Sequence, residues 1–568
     1  MSSNNGIDKR KQVLFSQAEI NEMLDSIPSN VRRYIDSLQS QISNMSDIGL
    51  ALSKERDMEK LLEMILLEAK RISNADGGTL YMMTDDQRLR FSIMITDSLD
   101  VHMGGTSGKD IPFYPVKLYD NGKPNENMIA ANAAINGKTI NIPDAYKAKG
   151  FDFSGTKAFD EKTGYRSKSF LTVPLKNHEN EIIGVLQLLN AQDIKSNKVI
   201  TFSERIQKNV EALSSQAAVA ITNQNLIKDL EILFESFIKL IASAIDAKSP
   251  YTGGHCSRVP EITMMLAESV NGMDHGPFSN INFSDKEMYE LKIAAWLHDC
   301  GKVATPEYVV DKSTKLETIY DRIHMVATRF EVLKRDEEIK YLKKQLSIHK
   351  KDTLSEIDKK EAVKKARIIY LKKIKQFDED KTFIEESNFG GEFMSQDRKD
   401  RVKKISSYRY KNNGSIKSFL SDNEVYNLCI SRGTLTPEER KVINDHIVVT
   451  IEMLEQLPYP KHLRNVPEFA GGHHEKLDGT GYPKGLNHGE MSVQAKIMAI
   501  ADIFEALTAR DRPYKKGKTL SQAMRILGFM KNDAHIDAEL FDVFVKEKIY
   551  LKYAEGFLDP EQIDEVKD

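Results

Sequence analysis

Five short segments in the C-terminal half carry the histidines and acids that most strongly constrain how this half can fold. They contain His255 in YTGGHCSRV, His298 and Asp299 in LHDCGK, His446 in INDHIVV, His473 and His474 in HHEKLDGTGYP, and Asp502 in AIADIFEAL. Adjacent histidines cannot both enter an apolar core without partners for their ring nitrogens, so burial requires polar or ionic neighbours. Imidazoles and carboxylates from separate helices suit a site for two metal ions. Scattered surface or capping histidines, the alternative, describe His349 and His488 better than these segments.

Composition excludes several classes of protein. The 568 residues are enough for several domains. A net charge of -3 gives no overall basic field, so we do not expect nucleic acid as a partner. No apolar run is long enough to span a membrane, and the first residues (MSSNNGIDKRKQVLF) lack the apolar core of a signal peptide. Three widely spaced cysteines fit a reducing compartment, and we expect a cytoplasmic protein with no membrane contact.

The N-terminal part divides into a helix and an α+β domain. Residues 1–45 form a helical segment in which Val31, Ile35, Leu38, Ile42 and Met45 step at heptad spacing. This seam is short, so a coiled coil and a helix packed on its own chain both remain open. Residues 46–222 contain two β-hairpins, one turning at an Asp-Asp pair and one at His178-Glu179-Asn180, with helices on either side. This pattern predicts a compact domain built on an antiparallel sheet.

Residues 223–250 read as a helical stalk. Apolar residues recur at heptad spacing, without Gly or Pro before Pro250, at Leu226, Leu230, Leu233, Phe237, Leu240 and Ala244. A sustained seam between two domains favours a parallel two-helix coiled coil, and therefore a homodimer. A helix buried against its own domains is the alternative.

The remainder reads as an all-α domain interrupted by a charged helical insert. Residues 251–330 form its first part, residues 331–430 the insert and residues 431–568 its second part. Within the insert, residues 331–410 hold 22 Lys and Arg against 16 Asp and Glu, with apolar residues at roughly helical spacing. A charged helical hairpin with a solvated face is the simplest interpretation. A surface for nucleic acid or another partner is the alternative.

The C-terminal motifs resemble the HD-GYP branch of the HD metal-dependent phosphohydrolases. The matching stretches are LHDCGK, HHEKLDGTGYPKGL and MAIADIFEALTARDRPYK, in the family's order, and the resemblance covers about 250–330 and 430–545. It implies a histidine-rich centre with iron or manganese that hydrolyses the bacterial second messenger cyclic di-GMP to linear pGpG, GMP or both.

Positions carried over from the family give each candidate residue a role. The implied metal ligands are His255, His298, Asp299, His446, His473, His474 and Asp502, with Asp299 bridging the ions. Lys302 is expected to contact a phosphate oxygen and to stabilise charge in the transition state, which makes it catalytic together with Asp299. The implied substrate-binding residues are Lys302, Tyr482, Arg512 and Lys515. Cys300 lies where relatives mostly carry an apolar residue, and we interpret it as a packing residue.

Three departures from the family pattern carry consequences. Some relatives have glutamate four residues before the first histidine, where it supports a third metal, and Tyr251 in that place favours two divalent ions. The insert separates LHDCGK from the helix that carries His446, and His324 lies too close to Leu316 to take that ligand's place, so its role is unassigned. Glu505, three residues after Asp502, replaces the aspartate that is commoner in the family. This mild change suggests a less rigid arrangement of the residues that support the ligands.

Residues 46–222 resemble a GAF domain, a module that senses small molecules or forms dimers. Asn190 and Phe202 fit the signature of cyclic-nucleotide-binding members, but Ala191 stands where that signature has lysine. The absence of cysteine excludes a thioether-linked bilin, and His102 and His178 are better explained as turn histidines than as haem ligands. The ligand of this domain stays unknown.

These observations predict a GAF-regulated phosphodiesterase for cyclic di-GMP. Two alternatives remain. One is hydrolysis of a related cyclic dinucleotide such as cyclic GMP-AMP, or of another phosphoester. The other is a weakly catalytic receptor that binds its ligand and signals through partner surfaces.

Overall fold

The computed structural model describes residues 28–248, 253–510 and 517–566. The chain forms two compact units, residues 1–232 and residues 233–568. The boundary falls inside a long helix, so the chain passes from one unit to the other without a loop. Each unit is described by itself.

The first unit is built on an antiparallel sheet with the strand order β3-β2-β1-β9-β8-β7. The strands of this path are β1 (Ala75–Met83), β2 (Arg88–Thr96), β3 (Val101–Gly104), β7 (Ile140–Ile142), β8 (Phe170–Lys176) and β9 (Ile182–Gln192). The short strands β4 (Val116–Lys117) and β10 (Val199–Ile200) pair with β2 and β9, and β5 (Tyr119–Asp120) pairs with β6 (Lys123–Pro124). Both predicted hairpins are present, as β1-β2 and β8-β9.

Helices cover this sheet. They are α1 (Ser29–Lys54), α2 (Met58–Ser73), α3 (Ile129–Asn136) and α4 (Ser154–Thr163). Helix α2 begins where the Asp57 carboxylate accepts the Lys60 N–H at 3.0 Å, and its apolar face, including Leu61, Ile65 and Leu66, joins the core formed with β1, β8 and β9. An antiparallel sheet with flanking helices confirms the predicted α+β fold class of this region.

Two helices cross the boundaries that the sequence suggested. Helix α1 runs through residues 45 and 46, and its Ile48 and Leu52 belong to the core of the first unit. The part of the N-terminal segment before residue 28 lies outside the described residues. Helix α5 (Glu204–Lys248) begins well before residue 223, because its first half supplies Val210, Leu213 and Ala217 to the same core.

In its described residues, the second unit is helical apart from one small hairpin. Outside the insert, its helices are α6 (His255–Asn271), α7 (Asp285–Leu297), α8 (Glu307–Val310), α13 (Pro437–Asn444), α14 (His446–Glu455), α15 (Val466–Gly471), α16 (Val493–Thr508), α17 (Leu520–Asn532), α18 (Ala538–Lys546) and α19 (Ile549–Phe557). They share one apolar core, to which the end of α5 contributes Ile238, Ala242 and Ile245. This architecture confirms the predicted helical domain after the stalk.

The insert is larger and more structured than a charged hairpin. Its elements are α9 (Ile323–His349), α10 (Glu356–Asn388), α11 (Gln396–Ser406), β11 (Arg409–Asn412), β12 (Ser415–Ser418) and α12 (Asp422–Leu428). Helices α9 and α10 are antiparallel, since Tyr341 stacks on Tyr370 while Lys334 pairs with Asp378. The sequence did not predict the strand pair or the separate core around Phe330, Phe377 and Phe419.

Among the described residues, none of the helices has both the length and the apolarity required to cross a membrane.

Candidate metal centre

The predicted ligands come from five places in the second unit and meet in its interior. His255 begins α6, His298 and Asp299 follow α7, His446 begins α14, His473 and His474 follow α15, and Asp502 lies within α16. Six of the seven residues are buried, with an exposed fraction between 0% for His298 and 9% for Asp502. The seventh, His474, is half-buried. Such burial of seven ionisable groups is costly unless they neutralise one another or bind cations.

A glycine allows two of these places to approach each other. A Cβ at Gly301 would lie only 2.0 Å from the carbonyl oxygen of His446, so no other residue fits without displacing α14. The N–H of Gly301 donates to the Thr450 hydroxyl at 2.9 Å, which fixes the turn after Asp299 against that helix. The glycine of LHDCGK therefore serves to bring the Asp299 turn and His446 together.

The ligand atoms form two groups. The first group consists of His255, His298 and Asp502, and the second of Asp299, His446, His473 and His474. Each residue contributes one ligand atom, and within a group these atoms all lie within 4.8 Å of one another. Within the first group, Asp502 Oδ1 lies 3.2 Å from His255 Nε2 and 3.6 Å from His298 Nε2. Each group has the size and donor types of a site for one divalent ion.

The carboxylate of Asp299 connects the two groups. Its Oδ2 lies 3.2 Å from His255 Nε2 and 3.3 Å from His298 Nε2. Its Oδ1 lies 3.2 Å from His446 Nε2 in the other group. One carboxylate that directs an oxygen to each group has the geometry of a bridging ligand.

Hydrogen bonds at the outer ring nitrogens leave the inner ones with lone pairs. The Nδ1 atoms of His298, His446 and His473 contact the carbonyl oxygens of Ala295, Ile443 and Ala470 at 2.8, 2.5 and 2.6 Å. A carbonyl only accepts, so each Nδ1 is the donor, and the neutral ring carries its lone pair on Nε2. The imidazoles are thereby preset as ligands.

Several inner atoms lie so close together that a proton or a cation must separate them, and two of them have no hydrogen bond. His298 Nε2 faces His255 Nε2 at 3.3 Å, and His446 Nε2 faces His474 Nε2 at 3.2 Å. His473 Nε2 and Asp299 Oδ1 are buried without a hydrogen bond. Facing lone pairs and unsatisfied acceptors require a proton or a cation between them, so these donors fit divalent metal ions.

The electrostatics differ between the two groups. Burial lowers the pKa of His473 far below its usual value and that of His474 to about 4, so both rings are neutral at pH 7. Burial also opposes the charged form of His298, but Asp299 and Asp502 outweigh it and raise the pKa of His298 to about 9. Without metal, the group around Asp502 therefore attracts protons, and a bound cation would take the place of that positive charge.

Lys302 and Tyr482 border the same centre. Lys302 Nζ donates to Asp299 Oδ2, and the Lys302 side chain is 25% exposed. The ring of Tyr482 stacks on that of His474, with centroids 4.9 Å apart. Burial raises the pKa of Tyr482 to about 12, which keeps its hydroxyl protonated as a donor.

The motif loop around Tyr482 is held by a residue that the sequence analysis missed. Glu475 is 1% exposed, and its carboxylate accepts the N–H groups of Lys484 at 2.7 Å and Leu486 at 3.0 Å. A Cβ at Gly481 would lie 2.3 Å from Lys476 N, so this glycine is required for the loop to close on itself. The position of Glu475 directly after the two histidines could have indicated this role from the sequence.

Glu505 supports the ring of His255. The sequence, with glutamate where the family more often has aspartate, had suggested looser support of the ligands. Its carboxylate accepts a hydrogen bond from His255 Nδ1 and another from Arg258 Nε, the latter at 2.7 Å. Glu505 is fully buried, and the positive charges of His255 and Arg258 lower its pKa against the effect of burial. Glu505 follows Asp502 by three residues and Arg258 follows His255 by three, so helical spacing could have identified both.

Other predicted residues have separate outcomes. Arg512, Lys515 and Tyr251 lie outside the described residues. His324 is exposed on α9 and belongs to neither ligand group. Cys300 is buried, and burial raises the pKa of its thiol to about 11, which suits a packing role.

In the first unit, Asn190 is fully used by the fold. Its side-chain oxygen accepts the N–H groups of Lys168 and Ser169, and its amide donates to the Tyr165 hydroxyl and the Arg166 carbonyl. The match of Asn190 to a nucleotide-binding signature thus has a structural explanation. His102 Nε2 lies 3.3 Å from a carboxylate oxygen of Glu63, and His178 is exposed beside Glu179.

Comparison with known families places two kinds of domain in the chain. Residues 57–221 match the family profile described as "GAF domain". Residues 252–380 and 422–540 match two profiles that are both described as "HD domain". The gap between these two matches falls within the insert. These matches confirm the GAF and HD assignments made from the sequence.

Curated relatives resemble parts of the chain. The "3'3'-cGAMP-specific phosphodiesterase 1" of Vibrio cholerae is 43% identical over 81 residues, which are 14% of this chain and 19% of that protein. The "Cyclic di-GMP phosphodiesterase" of Thermotoga maritima is 33% identical over 131 residues, which are 21% of this chain and 35% of the relative. The chain thus spans about a third or less of the length of these relatives.

Solved structures resemble the chain over about a third of its length. The GAF domain of an Acinetobacter phosphoenolpyruvate-protein phosphotransferase has 15% identity and a TM-score of 0.25, covering 34% of this chain and 98% of that one.

Proposed function

We propose that this chain, which contains a GAF domain and an HD domain, is a metal-dependent phosphodiesterase that hydrolyses cyclic di-GMP to pGpG, GMP or both. The observation that carries the proposal is the Asp299 carboxylate, which directs one oxygen to each of two ligand groups. A relative named cyclic di-GMP phosphodiesterase supports the choice of substrate.

The proposed centre holds two divalent ions, iron or manganese. His255, His298 and Asp502 would hold one ion, and His446, His473 and His474 the other, with Asp299 shared. Two such ions supply an activated water molecule and neutralise charge on a phosphodiester. We do not propose a third ion, since the position that some relatives fill with glutamate is Tyr251 in this sequence.

The chain's own residues then act on the substrate. Lys302, whose ammonium group lies beside Asp299, would contact a non-bridging phosphate oxygen and stabilise the negative charge that grows there in the transition state. Tyr482, whose ring stacks on His474 and whose hydroxyl stays protonated, would donate a hydrogen bond to the nucleotide. Arg512 and Lys515 would hold the second phosphate of the cyclic dinucleotide.

A related substrate is a second candidate. Two relatives are named 3'3'-cGAMP-specific phosphodiesterases, at 43% and 38% identity over their matched segments. The guanine-contacting residues decide between the two dinucleotides, and the metal ligands do not. Two further alternatives use the same metal ligands: the substrate is another phosphoester, or the protein is a weakly catalytic receptor. In either case we expect slow hydrolysis of both dinucleotides.

The decisive experiment compares turnover. The full-length protein is purified without oxygen, its metal content is measured, and hydrolysis of cyclic di-GMP and cyclic GMP-AMP is followed by chromatography. We expect about two metals per chain and faster hydrolysis of cyclic di-GMP. Faster hydrolysis of cyclic GMP-AMP would select the second candidate. Metal binding without turnover of either would favour the receptor.

We also propose a homodimer through α5. The apolar seam along this helix is exposed, with 63% of Leu230, 52% of Leu233, 56% of Phe237 and 64% of Leu240 accessible. Large apolar side chains at heptad spacing are costly in water and are covered by a second helix in a coiled coil. A second copy of the same helix supplies a matching seam. A small ligand of the GAF domain would regulate the phosphodiesterase through this helix, and we propose that the protein acts in the cytoplasm.

A further inference from the structure

A basic groove lies in the second unit, between helix α11 of the insert and the start of α13. Its volume is about 520 Å³, and four cationic side chains line it, Lys399 and Lys403 from α11, Arg432 from the preceding loop and Arg440 from α13. Among the described residues that line it, none is acidic. Lys399 and Lys403 are four residues apart and so lie on one face of α11.

Ion pairs are sparse in the groove. Several lysines elsewhere in the insert pair with acids one turn away, as Lys334 does with Glu331 at 3.1 Å and Lys359 with Glu356 at 3.0 Å. In the groove, Lys403 has a distant pairing with Asp400 at 3.8 Å, and Lys399 Nζ instead donates to the Ser431 hydroxyl at 2.8 Å. Of the four cations, Lys403 alone has a recorded ion pair with an acid, and no acidic residue lines the groove in the described part of the chain, so positive charge predominates there.

A fifth cation lies beneath the floor of the groove. Lys315 is 1% exposed, and its Nζ donates to the carbonyl oxygens of Leu428 at 3.2 Å and Ile430 at 2.9 Å. Burial lowers the pKa of Lys315 to about 8, and the neighbouring charges of Arg398 and Lys399 act in the same direction. These contacts fix the backbone that forms the floor.

One wall offers an aromatic face. Tyr426 is 47% exposed, and its hydroxyl is held by the Glu438 carboxylate at 2.9 Å, so the ring has a fixed orientation. Leu435 and Pro437 line the groove next to the cations. A positive pocket with an apolar surface and a fixed aromatic ring matches a ligand that has both an anionic group and a flat ring.

We propose that this groove binds a small nucleotide, with its phosphate held by Lys399, Lys403, Arg432 and Arg440 and its base against Tyr426. Lysine and arginine are the side chains suited to phosphate, and arginine can bind it through two parallel hydrogen bonds. The volume falls in the range of small-molecule sites, whereas a nucleic acid polymer needs an extended basic track. The groove shares no lining residue with the metal centre, so the inference stands whether or not the chain is a hydrolase.

Binding of GMP to the full-length, metal-loaded protein tests this inference. Calorimetry compares the unchanged protein with the double variant Lys399→Gln/Lys403→Gln. The matched control is Lys360→Gln/Lys364→Gln, which removes the same charge at the same spacing from exposed positions on α10. We expect GMP binding about tenfold weaker in the groove variant and unchanged in the control, because charge-assisted hydrogen bonds to phosphate are lost. Arg432→Gln provides a second variant and should weaken binding in the same way.

Three outcomes would overturn the proposal. Equal GMP affinity in the groove variants and the control would show that the groove does not hold the nucleotide. Guanosine binding as tightly as GMP would show that the phosphate is not recognised. A twelve-nucleotide RNA binding more than tenfold tighter than GMP, with the same variants affected, would assign the surface to a polymer. Hydrolysis of cyclic di-GMP is measured separately, and its absence would leave the binding result valid.

Discussion

Asp299 is the residue on which both ligand groups depend. Its two oxygens face different histidines, and one of them has no hydrogen bond although it is fully buried. The other contacts the ammonium group of Lys302. Removing this carboxylate would leave each group short of a donor.

We therefore expect Asp299→Asn to lose both metals and to lower turnover by about a hundredfold or more, because an amide is a poorer bridge between cations. Metal analysis and a hydrolysis assay on the same preparation measure both effects. Asp445→Asn, at an exposed aspartate one residue before His446, is the control and should behave as the unchanged protein. Full metal content in Asp299→Asn would refute the bridging role.

Glu505 gives a second prediction at this scale. Its carboxylate holds His255 Nδ1, and Arg258 holds the carboxylate in turn. Glu505→Gln should weaken metal binding about 10- to 100-fold, as loss of such a supporting carboxylate usually does. Glu505→Asp keeps the charge and should recover part of the affinity. A competition titration with a chelator measures it, and equal affinity in all three proteins would contradict the role.

Lys315 predicts a pH dependence of stability. Burial lowers its pKa to about 8, whereas lysines of the unfolded chain titrate near 10.4. Between these values the unfolded chain binds more protons, so this lysine makes stability rise with pH. Urea unfolding at pH 7.5, 8.5 and 9.5 should show a steeper rise in the unchanged protein than in Lys315→Met. Parallel pH profiles would contradict the assignment.

At the scale of elements, helix α5 is the continuous connection between the two units. Its 45 residues run from the core of the first unit to Lys248, whose Nζ donates to the carbonyl oxygens of Lys302 at 3.1 Å and Thr305 at 2.7 Å. The last residue of the helix thus touches the turn that carries the proposed phosphate-binding lysine. We therefore expect a change in the helix to reach that turn.

One residue inserted after Glu231 should change basal turnover, because it advances a helix by about 1.5 Å and 100°. A seven-residue insertion at the same place completes a heptad and should preserve the activity more closely, which makes it the matched control. Hydrolysis rates of both proteins at equal metal loading measure the effect. Indifference to the single insertion would argue against regulation through this helix.

Some elements could be predicted from sequence and others could not, for physical reasons. Alternation identified the β1-β2 and β8-β9 hairpins, since a strand with one buried face repeats every two residues. The histidines of the two candidate ligand groups were found by motif. The core of the insert could not be predicted, because its apolar residues, such as Phe330 and Phe419, are distant in sequence. Periodicity shows which face of a helix is buried, but it does not show which element packs against that face. The roles of Glu505, Glu475 and Lys248 depend on such distant contacts too.

At the scale of the whole molecule, the exposed seam on α5 predicts the oligomeric state. Leu233→Glu/Phe237→Glu places charges at two seam positions and should convert a dimer into monomers, as measured by light scattering. Lys228→Glu, on the same helix at a position outside the heptad seam, is the control and should remain dimeric. A dimer that survives the double substitution would show that another surface joins the copies.

The sharing of Asp299 between the two ligand groups also has a consequence for metal supply. The first ion to arrive would orient the carboxylate and so prepare its other oxygen for the second ion, while an empty partner group leaves that oxygen unsatisfied. Occupancy of one group should therefore change the metal affinity of the other, and the two ions should not be exchanged independently.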